Sequence, residues 1–337
     1  MRMGKVYCIL GGGGAFALHT AHHILDTLDN ARVVGIGRNP LRPSAFTLGI
    51  ERRMPRFEYK PFHVGHETDL LLEYLDELQP DVIINFAAQG EGAASWRHSW
   101  RFFDTNATAL ARLHEVLSER DWAMGGHFIQ IGTSELYGSV DEPVNEDAPI
   151  RSSSPYSASK AAFDLYLLAL ARAGRGMPTT ILRPSNAYCS GQLLHRIIPR
   201  AIVAGLMGRR IPLHGGGAAR KSYIHAEDLA RAILLVSAMP RAFGRVYNVG
   251  PAAPTAISEV AMRCAAAVGV AFADMFEDAP ERVGQDSCYW LDSSAIARDF
   301  GWQPLVDWDV GLADVVSWAR HNLNVLGDWP TDYQLRA

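Results

Sequence analysis

The stretch CILGGGGAFALHTAHHIL, residues 8–25, carries the first decision about this chain. An apolar run ending at Leu10 meets the glycines Gly11 to Gly14, and an alanine-rich helical pattern follows at once. Gly11, Gly14 and Ala17 stand at the spacing of a GxxGxxG/A loop, with Phe16 beside them. Small residues there let the backbone approach a pyrophosphate, and the helix N-terminus supplies N–H donors and positive potential. A glycine cluster alone could be no more than a tight turn. Its place between a first strand and a first helix points to a bound dinucleotide.

Outward from that loop, residues 5–10, 32–37, 82–88, 128–132 and 179–183 read as strands, with a weaker one at 57–62. Residues 17–28, 68–77, 102–117 and 157–172 read as the helices between them. Strands that are apolar nearly throughout suit a parallel sheet covered on both faces. The β-α-β-α order therefore predicts an α/β, doubly wound open sheet. Beyond residue 184 the texture changes: helical patterns at 197–206, 227–238, 257–268 and 308–320 are separated by Gly/Pro segments, with one strand at 246–249. The expected division is a dinucleotide-binding domain over 1–183 and a smaller substrate domain over 184–337, with some segments interleaved. The tail DWPTDYQLRA is expected at the surface or an interface.

Composition narrows the classes. The 337 residues are 48% hydrophobic and 20% charged, enough for a sizeable core and too apolar for disorder. Lys+Arg number 32 against Asp+Glu 36, a net charge of −4 that argues against nonspecific nucleic-acid binding. Cys8, Cys189, Cys264 and Cys288 are scattered, with no disulfide or zinc spacing, and His19, His22 and His23 do not form a convincing metal site. There is no signal-peptide layout and no apolar run near the roughly 18 residues of a membrane span. The cytoplasm is the expected location, with no metal, membrane or nucleic-acid partner.

The end of the second strand, GIGRNP, bears Arg38 where a carboxylate would favour a free ribose 2′-hydroxyl. A guanidinium pairs well with a 2′-phosphate, so NADP is favoured, with NAD the alternative. Arg38 read simply as a solvated loop residue is the competing possibility. Thr133 ends the strand FIQIG and is followed by SELYG; SPYSASK comes later. Tyr156 and Lys160 are i and i+4 on one helix and share a face. A lysine there stabilises phenolate, and ribose hydroxyls can join the relay. The glycine loop, strand-end Thr133, Tyr156 and Lys160 in this order point to proton and hydride chemistry on a bound dinucleotide.

Together GGGGAFA, NFAAQ, TSELYG, SPYSASK, RPSNAY and YIHAEDLARAI resemble the extended short-chain dehydrogenase/reductases that act on nucleotide sugars. The resemblance runs from about residue 5 to about residue 312. It implies a Rossmann-like domain and a smaller mixed α/β domain that grips a nucleoside diphosphate hexose. Among the cofactor contacts it implies are Ala87 and Ala88 after strand four, and His63, which stands where an acidic residue usually follows strand three near the adenine. Substrate contacts by resemblance are Gln89, Thr133, Asn186, Lys221 and Arg282. A loop holding Trp96, His98 and Trp100 is one that this family often folds over the pocket. Helices 102–117 and 157–172 usually form the dimer seam, so a homodimer is expected.

Glu135 separates the reactions. These enzymes are expected to oxidise C4, with Tyr156 taking the hydroxyl proton and Thr133 holding the oxygen. A 4-epimerase needs no carboxylate beside Thr133, whereas a 4,6-dehydratase needs a base for the C5 proton. Thr133-Ser134-Glu135 resembles the triplet of GDP-mannose 4,6-dehydratases, while dTDP-glucose dehydratases carry Thr-Asp-Glu. By that resemblance Glu135 is the C5 base and Ser134 orients the C6 hydroxyl. A related 5,6-dehydratase, a 4-epimerase, a UDP-glucuronate decarboxylase and a dinucleotide-binding module without catalysis are the other readings. Tyr188-Cys189-Ser190 departs from the family's Tyr-Gly-Pro. GDP, UDP, CDP and dTDP all remain open.

Overall fold

The computed structural model describes residues 4–281 and 286–335. Six strands come from the first half: β1 (Val6–Leu10), β2 (Arg32–Gly37), β3 (Phe57–Pro61), β4 (Val82–Asn85), β5 (His127–Ile131) and β6 (Thr179–Pro184). The second half adds β7 (Asn186–Tyr188), β8 (Ile211–His214), β9 (Arg220–Lys221), β10 (Tyr223–His225), β11 (Val246–Val249), β12 (Thr255–Ala256), β13 (Phe276–Ala279) and β14 (Cys288–Tyr289). Seven strands form the main sheet in the order β11-β6-β5-β4-β1-β2-β3, every pair parallel. The strand order reverses between β1 and β4, and there the two halves of a doubly wound sheet leave a crevice at the carboxyl ends.

Alternation within the apolar strands shows why the sheet is covered twice. Tyr7 and Ile9 face a core shared with the helices Ala15–Thr27 and Ala226–Ser237. Cys8 and Leu10 face the opposite core, with Leu71, Leu113, Phe163 and Leu167 of three other helices. The same split divides Ile129 from Phe128 and Leu182 from Ile181. Phe163 and Leu167 thus pack on the sheet, leaving Leu165 as the exposed apolar residue of the helix Pro155–Arg172.

A second core gathers Ile198, Ile202, Val260, Leu312, Val315 and Trp318, and takes Phe46 from the first half of the chain. Around it lie three small sheets, β10-β7, β12-β9-β14 and β13-β8. The architecture is therefore a Rossmann-like parallel sheet with a smaller mixed region, as the pattern predicted. No helix among the described residues is long and apolar enough to cross a membrane.

One expected helix is interrupted. Residues 99–117 divide into Ser99–Phe103, a π-helical turn over Asp104–Thr108, and Ala109–Leu117. Such turns often sit at functional sites. Asn106 in this one accepts from the Gln89 amide at 2.7 Å and donates from Nδ2 to the Gln89 carbonyl at 3.0 Å. Nothing in the apolar periodicity marks that insertion.

Candidate active site

Two cavities adjoin at the carboxyl ends of the central strands, with Phe86 and Ala88 lining both. The smaller, about 240 Å³, is walled by Gly11, Gly13, Gly14, Arg38, Arg42, His63, Ala87, Ala88 and Gln89. Gly11 has φ +75°, and a Cβ there would stand 2.7 Å from the Ala87 nitrogen, so the turn and the close approach both require glycine. Gly14 is the N-cap of the helix Ala15–Thr27 and brings no capping side chain, and the first turn holds no acid. The helix N-terminus therefore has no capping side chain or acid of its own to compete for an anion. Ala17 is buried in the core, where its size permits close helix–sheet packing, and Phe16 lines the neighbouring cavity. His63 Nδ1 accepts from the Gly65 and His66 amides, both at 3.1 Å, which puts the proton of the neutral ring on Nε2. Burial lowers the His63 pKa and favours that neutral form.

The larger cavity, about 410 Å³, contains Thr133, Glu135, Tyr156, Lys160, Asn186 and Lys221. Thr133 caps the short 3₁₀ turn Ser134–Tyr137, its Oγ1 accepting from the Glu135 amide at 3.2 Å. A capping box between Ser154 and Ser157, with Pro155 at the first position, starts the helix Pro155–Arg172. Tyr156 therefore stands in the first turn and Lys160 one turn on. Tyr156 and Thr133 line the same cavity. Burial first, and the charge of Glu135 second, push the Tyr156 phenol's pKa up. Lys160 is 3% exposed and donates from Nζ to the Ile131 carbonyl at 2.6 Å. Burial brings its pKa down to about 8, opposed by Asp164.

Burial raises the Glu135 pKa, while Lys221 and Arg196 pull it back. Lys221 lies 3.5 Å from the centroid of the Tyr289 ring and donates to the Asp286 carbonyl at 3.3 Å. Tyr289 Oη in turn donates to Asp286 Oδ2 at 2.6 Å, and Ser139 and Ser153 donate to the same carboxylate. Burial brings Lys221 down to about 8, against the charge of Glu135. A buried carboxyl, a buried ammonium and a phenol thus share one chamber, a set suited to moving protons. Asn186, on β7, stands opposite Tyr223 in the parallel β7–β10 pair, and both line the larger cavity.

Most of the expected residues line these two cavities; Ala17 and Ser134 do not. Ser134 is buried away from both, because Thr133 and Glu135 are the residues of that turn that face inward. Its expected role on the C6 hydroxyl finds no support in the cavity lining. Arg282 lies outside the described residues. Trp96 lines the larger cavity, whereas Trp100 is 67% exposed and does not. Glu91, His195, Arg196, Asp286 and Tyr289 also line it and were not foreseen. Only the adjacency of Glu91 to NFAAQ, and of Asp286 and Tyr289 to Arg282, offered any signal. Among the described residues no group of three or more His, Cys, Asp or Glu is placed to hold a metal ion.

The profile of the NAD dependent epimerase/dehydratase family matches residues 7–250. The chain belongs to that family. It is similar to dTDP-glucose 4,6-dehydratases of Streptomyces niveus, 34% identical over 72% of this chain and 70% of the relative, and Streptomyces griseus, 35% identical over 71% of each. Among solved structures, a dTDP-glucose 4,6-dehydratase of Streptomyces venezuelae with NAD bound superposes with a TM-score of 0.86. It is 27% identical, over 95% of this chain and 98% of that one.

Two expectations are corrected by these findings. The likeness to GDP-mannose 4,6-dehydratases gives way to the dTDP-glucose enzymes, because a triplet of residues weighs little against identities spread over most of the chain. NADP gives way to NAD, which the family's description and the solved relative both name. Arg38 does line the dinucleotide cavity, beside Asn39 and Arg42. Arg42 Nη1 donates to the Gly13 carbonyl at 2.9 Å, so part of the local positive charge serves the glycine loop itself. Arginine at the end of β2 is thus no measure of a 2′-phosphate.

Proposed function

We propose that this protein is a nucleotide-sugar 4,6-dehydratase that uses NAD, with Glu135 as the base that removes the C5 proton. The observation that carries the reading is the Glu135 carboxyl in one buried chamber with Thr133, Tyr156 and Lys160. A simple 4-epimerase has no work for that acid. Gly11, Gly14 and the first turn of the helix Ala15–Thr27 would hold the pyrophosphate, with Arg38, His63, Ala87, Ala88 and Gln89 around the rest of the dinucleotide. When bound, NAD supplies a reversible hydride acceptor, filled from C4 and emptied at C6.

Tyr156 takes the proton of the C4 hydroxyl, and Thr133 holds the same oxygen. The Lys160 ammonium offsets the burial that disfavours phenolate. The resulting C4 ketone acidifies the C5 hydrogen, and Glu135 removes it. Glu135 then passes its proton to the departing C6 oxygen, which leaves as water. A raised pKa suits a group that must both take and give a proton near neutrality. The proton that Tyr156 took is lost to solvent, and one from solvent completes C5.

Asn186 and Lys221 hold the substrate's polar groups, with Arg282 proposed for the diphosphate. The two curated relatives make dTDP-glucose the first substrate to try, followed by UDP-glucose. The test is incubation with a panel of nucleotide sugars and mass measurement of the products. Loss of one water supports the reading; loss of carbon dioxide, or an isomer of unchanged mass, overturns it. A homodimer through residues 99–117 and 155–172 goes with this proposal, since Phe103 and Leu165 are exposed there. Sedimentation of the wild type against Leu165→Asp tests it, and two monomers would refute it.

A further inference from the structure

The described C-terminal segment contacts elements adjoining two parts of the smaller cavity's wall. Trp318 Nε1 donates to the Ala45 carbonyl at 2.6 Å, and further on the Trp329 ring lies 4.3 Å from that of Phe46. Ala45 and Phe46 belong to the short helix Ser44–Thr47, which directly follows the cavity wall at Arg38, Asn39, Pro40 and Arg42. Only a few residues later, Tyr333 is fixed to the opposite wall. Its hydroxyl donates to Gln89 Oε1 at 3.0 Å and accepts from the Gly90 amide at 3.2 Å. Its ring meets His195 edge-on at 5.2 Å.

That opposite wall separates the two cavities: Gln89 faces the dinucleotide side, and Gly90 and Glu91 face the sugar side. It is held from other directions as well, by Asn106 on the Gln89 backbone and by Arg196 Nη2 donating to the Gly90 carbonyl at 2.7 Å. Neither Trp329 nor Tyr333 lines either cavity, so the tail acts through the wall and not by touching a ligand.

We propose that residues 329–333 form a strap across the mouth of the dinucleotide cavity, with Tyr333 a positioning residue that fixes the Gln89–Glu91 wall. The proposal rests on reading that cavity as the NAD site. An enzyme that recycles its cofactor within each turnover gains from slow release, and here release requires the Tyr333 contacts to open. A dehydratase whose strap is untied still does its chemistry but loses NAD between turnovers.

Tyr333→Phe keeps the ring against His195 and removes only the hydroxyl. With two hydrogen bonds of modest net worth lost, NAD release is expected to quicken roughly tenfold. The measurement is dissociation of radiolabelled NAD chased with excess unlabelled NAD, beside the thermal midpoint of the ligand-free protein. Trp329→Ala unties the other end and is expected to quicken release in the same way. Faster release with an unchanged midpoint supports the strap. Release of NAD from Tyr333→Phe at the wild-type rate overturns it, as does a fall in midpoint large enough to account for the faster release. A wild-type protein that takes up no NAD overturns the cofactor reading itself, and the strap with it.

Discussion

Lys160 Nζ and the Ile131 carbonyl, 2.6 Å apart, join the helix Pro155–Arg172 to the carboxyl end of β5. The contact fixes Tyr156 above the strand end that carries Thr133. Burial separately makes Lys160 sensitive to pH, bringing its pKa down to about 8, while burial pushes Glu135 up from the ordinary carboxylate range.

The pH dependence of dehydration follows from these two groups. At low pH Glu135 is protonated and cannot act as base; as pH rises through its raised pKa, activity appears. As pH rises further through about 8, Lys160 loses its proton and Tyr156 loses its charged neighbour, so activity falls. A bell-shaped kcat/KM profile is expected, its acid limb above the usual carboxylate range. Lys160→Arg, which stays charged, should be slower and should lose the alkaline limb. A flat wild-type profile across both regions would remove the assignment.

Glu135→Gln separates the two stages of the reaction. The amide retains the shape of the carboxyl but cannot take the C5 proton. Dehydration is expected to drop by roughly 10²–10⁴-fold, the usual worth of a positioned acid–base group. The near-ultraviolet absorbance of reduced nicotinamide should still rise on adding substrate, while deuterium uptake at C5 from heavy water stops. Dehydration at close to the wild-type rate would mean that another group is the base, Glu91 and Asp286 being other carboxyls at the cavity wall.

What could be read in the chain alone follows from how local each signal is. The strands of the sheet carry their alternation within five or six residues, so their existence was legible, and for β1 and β2 nearly their ends, whereas the strand expected over 82–88 stops at Asn85. Tyr156 and Lys160 announce themselves by one helical turn. Asp286, Tyr289 and Lys221 form a single hydrogen-bonded group, yet they come from segments more than 60 residues apart, and no spacing rule connects them. Asn106 was hidden for another reason: the π turn that aims it at Gln89 leaves the apolar period of the helix intact. Arg38 lines the smaller cavity, but charge alone did not say which nucleotide it would meet.

The pair Arg183–Asp164 gives a stability prediction. Both side chains are buried; Nε donates to Oδ2 at 3.0 Å, and Nη1 donates to Tyr137 Oη at 2.8 Å. Asp164→Leu leaves a guanidinium buried without its counter-charge, which costs about 3–5 kcal/mol. The double change Asp164→Leu with Arg183→Met should recover most of that loss, since neither charge is then stranded. Urea unfolding of the wild type and both variants checks this. A single variant as stable as the wild type would show that water or a shifted side chain satisfies Arg183.

Gly11 and Gly14 should fail differently when replaced. Gly11→Ala forces a left-handed residue and a Cβ only 2.7 Å from the Ala87 nitrogen, so both the fold and NAD binding suffer. Gly14 has φ −82° and ψ 151°, the extended conformation that an N-cap needs, and its added Cβ would meet only the Gly11 carbonyl, at 3.3 Å. Gly14→Asp therefore lets the helix Ala15–Thr27 cap itself and raises stability by a few tenths of a kcal/mol. The new carboxylate takes the N–H donors and repels a pyrophosphate, so NAD affinity falls at the same time. Calorimetric titration with NAD beside a thermal melt separates the two effects. If Gly14→Asp binds NAD as the wild type does, the helix N-terminus is not the pyrophosphate site.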